Sequence, residues 1–315
     1  MPAASVNEQA LEPLCVAALT DVGMQRDVNE DSVLAMATPG GTLAVLLVAD
    51  GVGGHERGEV ASSLARQAVE ERFGQSDAGG GASGPLPARM RAAAQEANAA
   101  IFAMGEMQAG ARPATTFTLC VADERRYDIV HIGDTRAYLI QGETIRQLTE
   151  DDTWVAAAVR AGEMSPEEAR VSSIKHRLTK ALGSAQRASL SEASGSWGAG
   201  DLLLVCSDGL SEYLSPEEMR AQLREGPSLH AACVKLVGEA AARGGHDNIS
   251  IVVARNDSPA AASRAAATLP GVALVDDAAY AAAARRPDKR ARLRILLLAL
   301  LAAFLLVAAT WRHGP

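Results

Sequence analysis

Two apolar runs of strand length, each leading into an aspartate followed by a glycine, constrain the fold of this chain most. They are TLAVLLVAD (42–50), which Gly51 follows, and DLLLVCSDG (201–209). A continuous apolar run bounded by turn residues predicts a buried strand. The first run continues into a glycine-rich turn and then into a segment of helical composition. The pattern therefore predicts buried strands whose ends present carboxylates.

The periodicity of the remaining sequence predicts three more strands and three helices. The strands are 117–123, 127–134 and 248–254, and the helices are 59–73, 88–107 and 228–243. The sequence SPEE occurs at 165 and at 215, and each copy predicts a helix start with a serine cap, a proline and an acidic first turn. The glycine-rich segment 74–87 predicts a flexible connection between two helices.

The composition fits a protein with a substantial aliphatic core in a reducing compartment. Apolar residues make up 48% of the chain and aromatic residues 3%. Neither CxxC spacing nor a short secreted framework is present, so we expect unpaired thiols. The cysteines are Cys15, Cys120, Cys206 and Cys233. The first fifteen residues lack the basic and apolar regions of a signal peptide, so we expect the N-terminal part to stay in the cytosol.

Basic residues are concentrated in one short segment. RRPDKRARLR (285–294) carries six basic residues and one acid, and without this segment and Arg312 the net charge of −8 becomes −14. Nucleic-acid binding needs basic surface against the phosphate backbone. An acidic body of this kind argues against a nucleic-acid partner and suits a protein that gathers carboxylates around cations.

Six acidic residues stand out, and five of the six lie at the edge of an apolar strand. They are Glu30, Asp31, Asp50, Asp134, Asp208 and Asp247. Acids at the ends of strands from distant parts of the chain can converge on one site. Ligation by oxygen alone favours Mg²⁺ or Mn²⁺ over zinc or copper, and two such ions about 4 Å apart can activate a bridging water for displacement at phosphorus. Each Asp-Gly pair taken singly also fits an ordinary turn.

The order and wording of the motifs resemble those of the metal-dependent protein phosphatases of type 2C, in their compact bacterial form. The matching segments span about residues 17–255 and are RDVNEDS, VADGVGGHERGEVAS, ATTFTL, HIGDTRAYLI, QLTEDDTWV, LTKALGS, SDGLSEYLS and GGHDNISIVVA. The resemblance implies an α+β fold, a four-layer α-β-β-α sandwich with two central antiparallel sheets and a dinuclear metal centre between them. It also implies a serine/threonine phosphoprotein phosphatase that uses a metal-activated water and forms no phosphoenzyme.

The same resemblance implies the ligands of the metal ions. Asp50 would bridge two Mn²⁺ or Mg²⁺ ions, and the backbone carbonyl of Gly51 would ligate one of them. The remaining ligands would be Asp208 and Asp247 on the first ion, Glu30 and Asp31 on the second, with Asp31 anchoring waters, and Asp134 with Asp208 on a third, weaker ion.

Other residues of the matching motifs would contact the substrate or orient the ligands. Arg26 matches the residue that grips the substrate phosphate, since a guanidinium offers a planar pair of donors; a surface salt bridge is the alternative. Asn29 and Asn248 match residues that orient carboxylates. Well-known eukaryotic members carry a histidine two residues after the bridging aspartate, where this chain has Val52. His55 is either the proton donor or an ordinary turn histidine. The other histidines, at 131, 176, 230, 246 and 313, lack metal spacing and are interpreted as having no role in the site.

Substrate choice is expected to depend on residues 151–183, which by resemblance include a mobile flap beside the site; an ordinary helical connection is the alternative. The expected substrates are phosphorylated proteins, with a Ser/Thr protein kinase in the same pathway. Two other functions stay open: a catalytically silent module that binds phosphopeptides, and a hydrolase of other phosphoesters in small metabolites or nucleic acid. The complete set of acids disfavours the first, and the acidic body disfavours nucleic acid.

A C-terminal membrane anchor is also expected. Residues 295–309 are fifteen uninterrupted apolar residues, which Thr310 and Trp311 extend to seventeen. A helix of that length covers roughly 25 Å, a little short of the ~30 Å hydrocarbon core; a buried or amphipathic helix is the alternative. The predicted organisation is a catalytic domain at 1–255, a flexible linker at 256–292, a single transmembrane helix at 293–311 and a short tail at 312–315. The basic segment before the helix would keep the catalytic domain in the cytoplasm.

Overall fold

The computed structural model describes residues 5–11, 14–39, 41–52, 56–74, 84–107 and 112–258. The strands in these ranges are β1 (Ser5–Leu11), β2 (Leu14–Asp21), β3 (Asp31–Ala37), β4 (Ala44–Val52), β5 (Ala114–Thr115), β6 (Phe117–Ala122), β7 (Arg126–Ile132), β8 (Arg136–Gln141), β9 (Thr144–Gln147), β10 (Ser191–Ser196), β11 (Leu202–Cys206) and β12 (Ile249–Asn256). The helices are α1 (Glu56–Phe73), α2 (Leu86–Met107), α3 (Trp154–Arg160), α4 (Pro166–Val171), α5 (Asp208–Ser211), α6 (Pro216–Glu225) and α7 (Leu229–Ala242).

These strands form two antiparallel sheets. Sheet 1 has the order β1-β2-β12-β11-β8-β9, and sheet 2 has the order β10-β7-β6-β4-β3 with β5 paired to β4. Sheet 1 joins distant parts of the chain, because β2 pairs with β12 from Asp21 opposite Ile249 to Leu14 opposite Asn256. Segments far apart in sequence are therefore brought to the same edge of the sandwich.

Strand β4 is formed by the first apolar run, and it is buried on both faces. Its alternate residues from Val45 to Ala49 belong to the cluster formed with α1 and α2. The alternate residues from Ala44 to Val48 belong to the cluster between the two sheets. Successive side chains of a strand point to opposite faces, so residues 44–49, which are covered on both faces, are all apolar.

The helices cover the outer faces of both sheets. Helices α1 and α2 pack on sheet 2, where Phe73 and Met90 are fully buried. Helices α6 and α7 pack on sheet 1 through Met219 and Leu236. The layers are therefore helix, sheet, sheet and helix, and the predicted α+β sandwich of two antiparallel sheets flanked by helices is confirmed.

The two SPEE sequences start helices as predicted. In α4, Ser165 accepts a hydrogen bond from the backbone N–H of Glu168, whose carboxylate accepts one from the backbone N–H of Ser165. Ser215 and Glu218 make the same reciprocal pair at the start of α6. In both helices the proline occupies the first turn, where no intrahelical donor is needed.

The predicted strands and helices are present, but the strand ends beside two acids differ from prediction. Strand β4 continues through Asp50 to Val52, because Gly51 and Val52 pair with β5. Strand β11 stops at Cys206, and Asp208 is the first residue of α5.

Parts of the predicted organisation lie outside the described residues. These are residues 75–83 of the glycine-rich connection and the predicted linker and transmembrane helix beyond residue 258. Among the helices that the structure does describe, none has both the length and the apolarity needed to cross a bilayer.

Candidate metal centre

Asp31 and Asp50 form a cross-strand pair within sheet 2, on the face that is turned toward sheet 1. Asp31 begins β3 and lies directly opposite Asp50 in β4, so the two side chains project to the same face. The hydroxyls of Ser207 and Ser250, which belong to the sheet 1 side, face the Asp31 carboxyl. Glu30, directly before this pair, is only 6% exposed. Three predicted ligands therefore lie together at this edge of sheet 2.

Two threonines of the ATTF sequence hold the backbone of Asp50. The N–H of Asp50 donates to Oγ1 of Thr116 at 2.9 Å, and the N–H of Thr116 donates to the Asp50 carbonyl at 2.8 Å. Oγ1 of Thr115 donates to the same carbonyl at 2.9 Å. Neither threonine was predicted as a site residue, although their motif ATTFTL was one of the matching segments.

Gly51 allows helix α1 to approach the acids. A Cβ at Gly51 would lie 2.2 Å from the carbonyl oxygen of Gly58 and 2.7 Å from that of Glu30, so only glycine fits. The N–H of Gly51 donates to the Glu30 carbonyl at 3.1 Å. The glycine after Asp50 therefore packs Glu30 and the first turns of α1 against the end of β4.

Three further acids reach the site from other segments. Asp134 follows β7, Asp208 begins α5 and Asp247 precedes β12. Burial raises the pKa of Asp50 well above its usual range, and the charges of the other four aspartates add to this rise. The structure thus brings together the five aspartates that the sequence analysis predicted as ligands.

Three other aspartates of the cluster, Asp31, Asp134 and Asp247, also have raised pKa values. Burial raises the pKa of Asp31 to about 7, and the charges of Asp208 and Asp247 raise it further. Burial and the charge of Asp208 raise the pKa of Asp134 well above its usual range, and the same two causes raise the pKa of Asp247. A cluster in which each charge disfavours the others is stabilised by a cation placed among them.

The buried oxygens of this cluster fit a hard cation. Both carboxylate oxygens of Asp31 and Oδ1 of Asp208 are buried, and no donor within the described residues meets them at normal hydrogen-bond geometry. Buried charged oxygens without partners are costly. Within the same ranges, no three His, Cys, Asp or Glu side chains are grouped closely enough to hold an ion by themselves. Mg²⁺ keeps several waters and uses one or two carboxylates, so the donor set fits such a partly hydrated ion.

Arg26 lies at the exposed side of the acid cluster. Its Nη2 is 2.8 Å from Oδ2 of Asp247, and its Nη1 is 3.7 Å from Oε2 of Glu30. The side chain is 44% exposed. The guanidinium is therefore close to the acids and accessible from solvent, an arrangement that fits a phosphate contact as well as the salt-bridge alternative.

Asn29 and Asn248 orient the backbone of the acidic segment. Oδ1 of Asn248 accepts from the N–H of Glu30 at 2.8 Å, and its Nδ2 donates to two backbone carbonyls of residues 22–28. Oδ1 of Asn29 accepts from the N–H of Asp31 at 3.1 Å. Both residues thus hold the peptide groups of the two acids, whereas the prediction assigned them to carboxylates.

The segment 151–183 is anchored at both ends beside Asp134. The N–H of Asp152 donates to the carbonyl of Gly133 at 2.7 Å, and Oδ2 of Asp152 accepts from the N–H of Gly133 at 3.2 Å. At the other end, the N–H of Thr179 donates to the Asp152 carbonyl at 2.7 Å, and Nζ of Lys180 is 2.7 Å from its Oδ1. Helices α3 and α4 lie between these anchor points.

Two residues of this segment contact α5 and the residue that follows it. Nδ1 of His176 is 2.9 Å from Oδ2 of Asp208, and this hydrogen bond raises the pKa of His176. Nζ of Lys175 is 2.6 Å from Oε1 of Glu212. His176 was predicted to have no role in the site, because the spacing of residues along the chain carries no signal for a contact across 32 positions.

The remaining histidines differ in their surroundings. His131 is 1% exposed, and its ring nitrogens lie 2.8 Å from Oγ1 of Thr118 and 3.0 Å from the carbonyl of Glu150. His131 is therefore a buried, hydrogen-bonded residue of β7. His246, directly before Asp247, pairs with Tyr213. The candidate proton donor His55 lies outside the described residues.

Residues 24–240 match the family model of protein phosphatase 2C. The chain belongs to the protein phosphatase 2C family. The predicted family is therefore confirmed. The matched range includes Arg26 and the acids from Glu30 to Asp208, and it ends shortly before Asp247.

Individual protein phosphatase 2C relatives agree with this assignment. The chain is 38% identical over 242 residues to the serine/threonine protein phosphatase PstP of Mycobacterium tuberculosis, covering 76% of this chain but 44% of that protein, so it spans less than half of that relative. It is 31% identical over 246 residues to the serine/threonine phosphatase stp of Listeria monocytogenes, covering 76% of this chain and 94% of the relative. The crystal structure of the catalytic domain of PstP in complex with 2 manganese ions superposes with a TM-score of 0.67 at 36% identity, covering 77% of this chain and 97% of that structure.

Proposed function

We propose that this chain is a metal-dependent serine/threonine phosphoprotein phosphatase. It hydrolyses phosphoserine and phosphothreonine in proteins by direct attack of water, without a phosphoenzyme. The observation that carries this proposal is the cluster of five aspartates between the sheets, whose buried Asp31 carboxyl has a pKa raised to about 7. Membership of the protein phosphatase 2C family, and the names of relatives at 31% and 38% identity, support the same function.

Two Mn²⁺ or Mg²⁺ ions are the proposed cofactors, and one solved relative was crystallised with two manganese ions. When bound, such ions supply a water of lowered pKa and positive charge beside the phosphate oxygens. Asp50 would be the ligand shared by both ions, and the carbonyl of Gly51 would ligate one of them. The other ligands would be Asp208 and Asp247 on one ion, Glu30 and Asp31 on the other, and Asp134 with Asp208 on a third, weaker ion.

Arg26 is the proposed contact for the substrate phosphate. Its guanidinium is 44% exposed and already lies 2.8 Å from Asp247, so it stands where solvent meets the acids. A phosphate that displaced this ion pair would gain two charge-assisted hydrogen bonds from one planar group. Arg26 would then orient the phosphate, while Asn29 and Asn248 hold the backbone of Glu30 and Asp31 in place.

Release of phosphate from a phosphothreonine peptide, with and without Mn²⁺, tests this function. Wild-type protein is expected to release phosphate only when Mn²⁺ is present, to lose activity with a chelator and to regain it when Mn²⁺ is restored. The Asp208→Ala variant, checked for folding by circular dichroism, is the matched negative control. Binding of the peptide without any release would instead indicate a silent phosphopeptide-binding module, and release only from small phosphoesters would indicate a different hydrolase.

The proposed partners follow from this chemistry. The substrates are phosphoproteins, so a Ser/Thr protein kinase that modifies the same proteins is the expected counterpart. The net charge of −14 outside the basic segment and Arg312 opposes binding to nucleic acid.

We also propose a single membrane anchor at residues 293–311, preceded by a linker at 256–292 and followed by a tail at 312–315. The support is the sequence alone: fifteen apolar residues at 295–309, a basic segment before them and Trp311 after them. Full-length protein is expected to pellet with membranes and to resist carbonate extraction, whereas a variant ending at residue 258 stays soluble and active. Full-length protein that stays soluble without detergent would contradict the anchor.

A further inference from the structure

We infer that Tyr213 is a positioning residue of the metal centre. Its hydroxyl joins the segment that carries Asp208 to the loop 243–247, and so sets the Asp247 carboxylate relative to that of Asp208. This inference rests on the proposed function, since it assumes that both aspartates ligate a cation.

The first connection is between the Tyr213 hydroxyl and His246. The hydroxyl contacts Nδ1 of the His246 ring, and it accepts a hydrogen bond from the backbone N–H of His246 at 3.2 Å. A hydroxyl can accept one hydrogen bond while it donates another. Tyr213 therefore holds both the backbone and the ring of the residue directly before Asp247, which a phenylalanine could not do.

The second connection is at the start of the same loop. Nη1 of Arg243 donates to the Tyr213 carbonyl at 2.6 Å, and its Nη2 is 2.6 Å from Oε1 of Glu218. Gly244 lies against the tyrosine ring, because a Cβ there would come within 3.0 Å of the ring edge and of the hydroxyl. The loop is thus fastened to Tyr213 at both ends and packed on its ring between them.

The opposite side of the loop is held by residues near the start of the chain. The N–H of Met24 donates to the carbonyl of Gly245 at 2.8 Å. Gly23 packs so closely that a Cβ would lie 2.2 Å from the carbonyl oxygen of Asp247. The loop therefore lies between two fixed surfaces, and its position depends on both.

Tyr213 is itself rigidly connected to Asp208. The N–H of Glu212 donates to the Asp208 carbonyl at 2.8 Å, and the N–H of Tyr213 donates to the Leu210 carbonyl at 3.2 Å. These helical turns make the segment from Asp208 to Tyr213 one unit. The hydroxyl contact with His246 then closes a ring of connections from Asp208 through Tyr213 to Asp247.

Calorimetric titration of the full-length, metal-stripped protein with Mn²⁺ tests the inference. Tyr213→Phe keeps the ring packing and removes only the hydroxyl. Partners that orient ligands typically change metal affinity 10- to 100-fold, and because Tyr213 acts through a neighbouring residue we expect a loss of roughly 3- to 10-fold. The Mn²⁺ concentration for half-maximal hydrolysis of p-nitrophenyl phosphate should rise by the same factor, with the rate at saturating Mn²⁺ unchanged within about twofold.

Three further variants make the outcome decisive. His246→Ala removes the ring contact but keeps the backbone N–H that donates to the Tyr213 hydroxyl, so it should weaken Mn²⁺ binding, but by no more than Tyr213→Phe does. The double variant should bind Mn²⁺ as Tyr213→Phe alone does, because Tyr213→Phe already removes both contacts. Tyr127→Phe, which removes a hydroxyl from a tyrosine packed between the sheets, should leave Mn²⁺ binding unchanged. If Tyr213→Phe binds Mn²⁺ with wild-type affinity, the inference about Tyr213 is wrong, but the proposed function is unaffected. If Tyr213→Phe does not fold, wild-type affinity in His246→Ala has the same meaning. Failure of wild-type protein to bind Mn²⁺ would overturn the proposed function as well.

Discussion

Asp31 lies directly opposite Asp50 across the antiparallel pair of β3 and β4. Like charges in such directly opposed positions destabilise a sheet, and burial adds to the effect here. The proximity of the two carboxylates destabilises the metal-free protein, and the same proximity favours the binding of a cation. This single relationship accounts for the stability and the metal dependence that we expect of the site.

The first prediction concerns the metal-free protein. In chelator at pH 8, above the pKa of about 7 for Asp31, Asp31→Asn removes a buried charge and should raise Tm by a few degrees. A carboxyl whose pKa is raised by folding destabilises the protein progressively as pH rises above its unfolded pKa of about 4, so the gain in Tm should shrink as pH falls toward 5 and vanish only near pH 4. The same variant should lose part of the stabilisation that Mn²⁺ gives to wild type. Asp27→Asn, an exposed neighbour, is the control, and an unchanged or lower Tm for Asp31→Asn would count against the repulsion.

The second prediction concerns Asp50. Asp50→Ala should abolish hydrolysis of p-nitrophenyl phosphate, to below a few per cent of wild type, because the shared ligand of both ions is lost. Thr115 and Thr116 contact the backbone at this position, so the fold should survive the substitution. Circular dichroism and steady-state kinetics in saturating Mn²⁺ give the measurement. A variant that kept substantial activity would contradict a mechanism with two ions.

The third prediction separates the two interpretations of Arg26. Hydrogen bonds to charged groups contribute roughly 1.5–3 kcal/mol, so Arg26→Ala should lower kcat/KM about 10- to 150-fold. Arg91→Ala is the matched control, because Arg91 also makes an exposed ion pair, with Glu192 at 2.8 Å. Equal and small effects of both substitutions would show that Arg26 is an ordinary surface ion pair.

The fourth prediction concerns the contact between Lys175 and Glu212. This ion pair, at 2.6 Å, joins the segment 151–183 to the residue that follows α5. An exposed pair contributes up to about 1 kcal/mol, so Lys175→Glu should change KM for a phosphoprotein up to about fivefold. The charge-reversed double variant with Glu212→Lys should restore it, and KM for p-nitrophenyl phosphate should not change. A double variant as impaired as Lys175→Glu would rule out the pair as the cause.

The fifth prediction is a pH dependence that comes from His131. Burial lowers the pKa of this histidine, so the unfolded chain binds the proton more readily and stability falls as pH drops below about 6.5. His131→Gln should lower Tm at pH 7.5, since a hydrogen-bonded buried ring is lost. The variant should also show a smaller fall in Tm between pH 7.5 and 5.5 than wild type. Parallel Tm curves for the two proteins would refute the role of His131.

Much of the fold could be predicted because burial on both faces leaves a signal in the sequence. The apolar run that became β4 and the serine caps at 165 and 215 are examples. Strand β10 (Ser191–Ser196, SEASGS) carries no such signal, because its side chains are largely polar and it lies at the edge of sheet 2. The end of β11 was also misplaced, because the strand stops with the last apolar residue, Cys206, and Ser207 already caps α5.

The aspartates of the site could be predicted because each belongs to a local motif. The contacts of His176 with Asp208 and of Tyr213 with His246 could not, since each joins positions more than thirty residues apart. Asn29 and Asn248 were predicted as orienting residues, but which groups they orient depends on the loop conformation at 22–30. Sequence motifs thus indicate the ligands, and tertiary packing decides what holds them.

Because Asp152 is anchored on two sides, the positions of the acids do not depend on the length of the segment that follows it. The N–H of Asp152 donates to the Gly133 carbonyl, and the Asp152 carbonyl accepts from the N–H of Thr179. The two ends of the segment therefore meet at Asp152. Loop closure at a fixed point depends only weakly on the number of residues enclosed. The sequence and length of residues 153–178 could therefore vary between these two anchor points while Asp134 stays in place. Replacing this one surface segment could thus change which phosphoproteins reach the proposed metal centre, provided that the contact of His176 with Asp208 is kept.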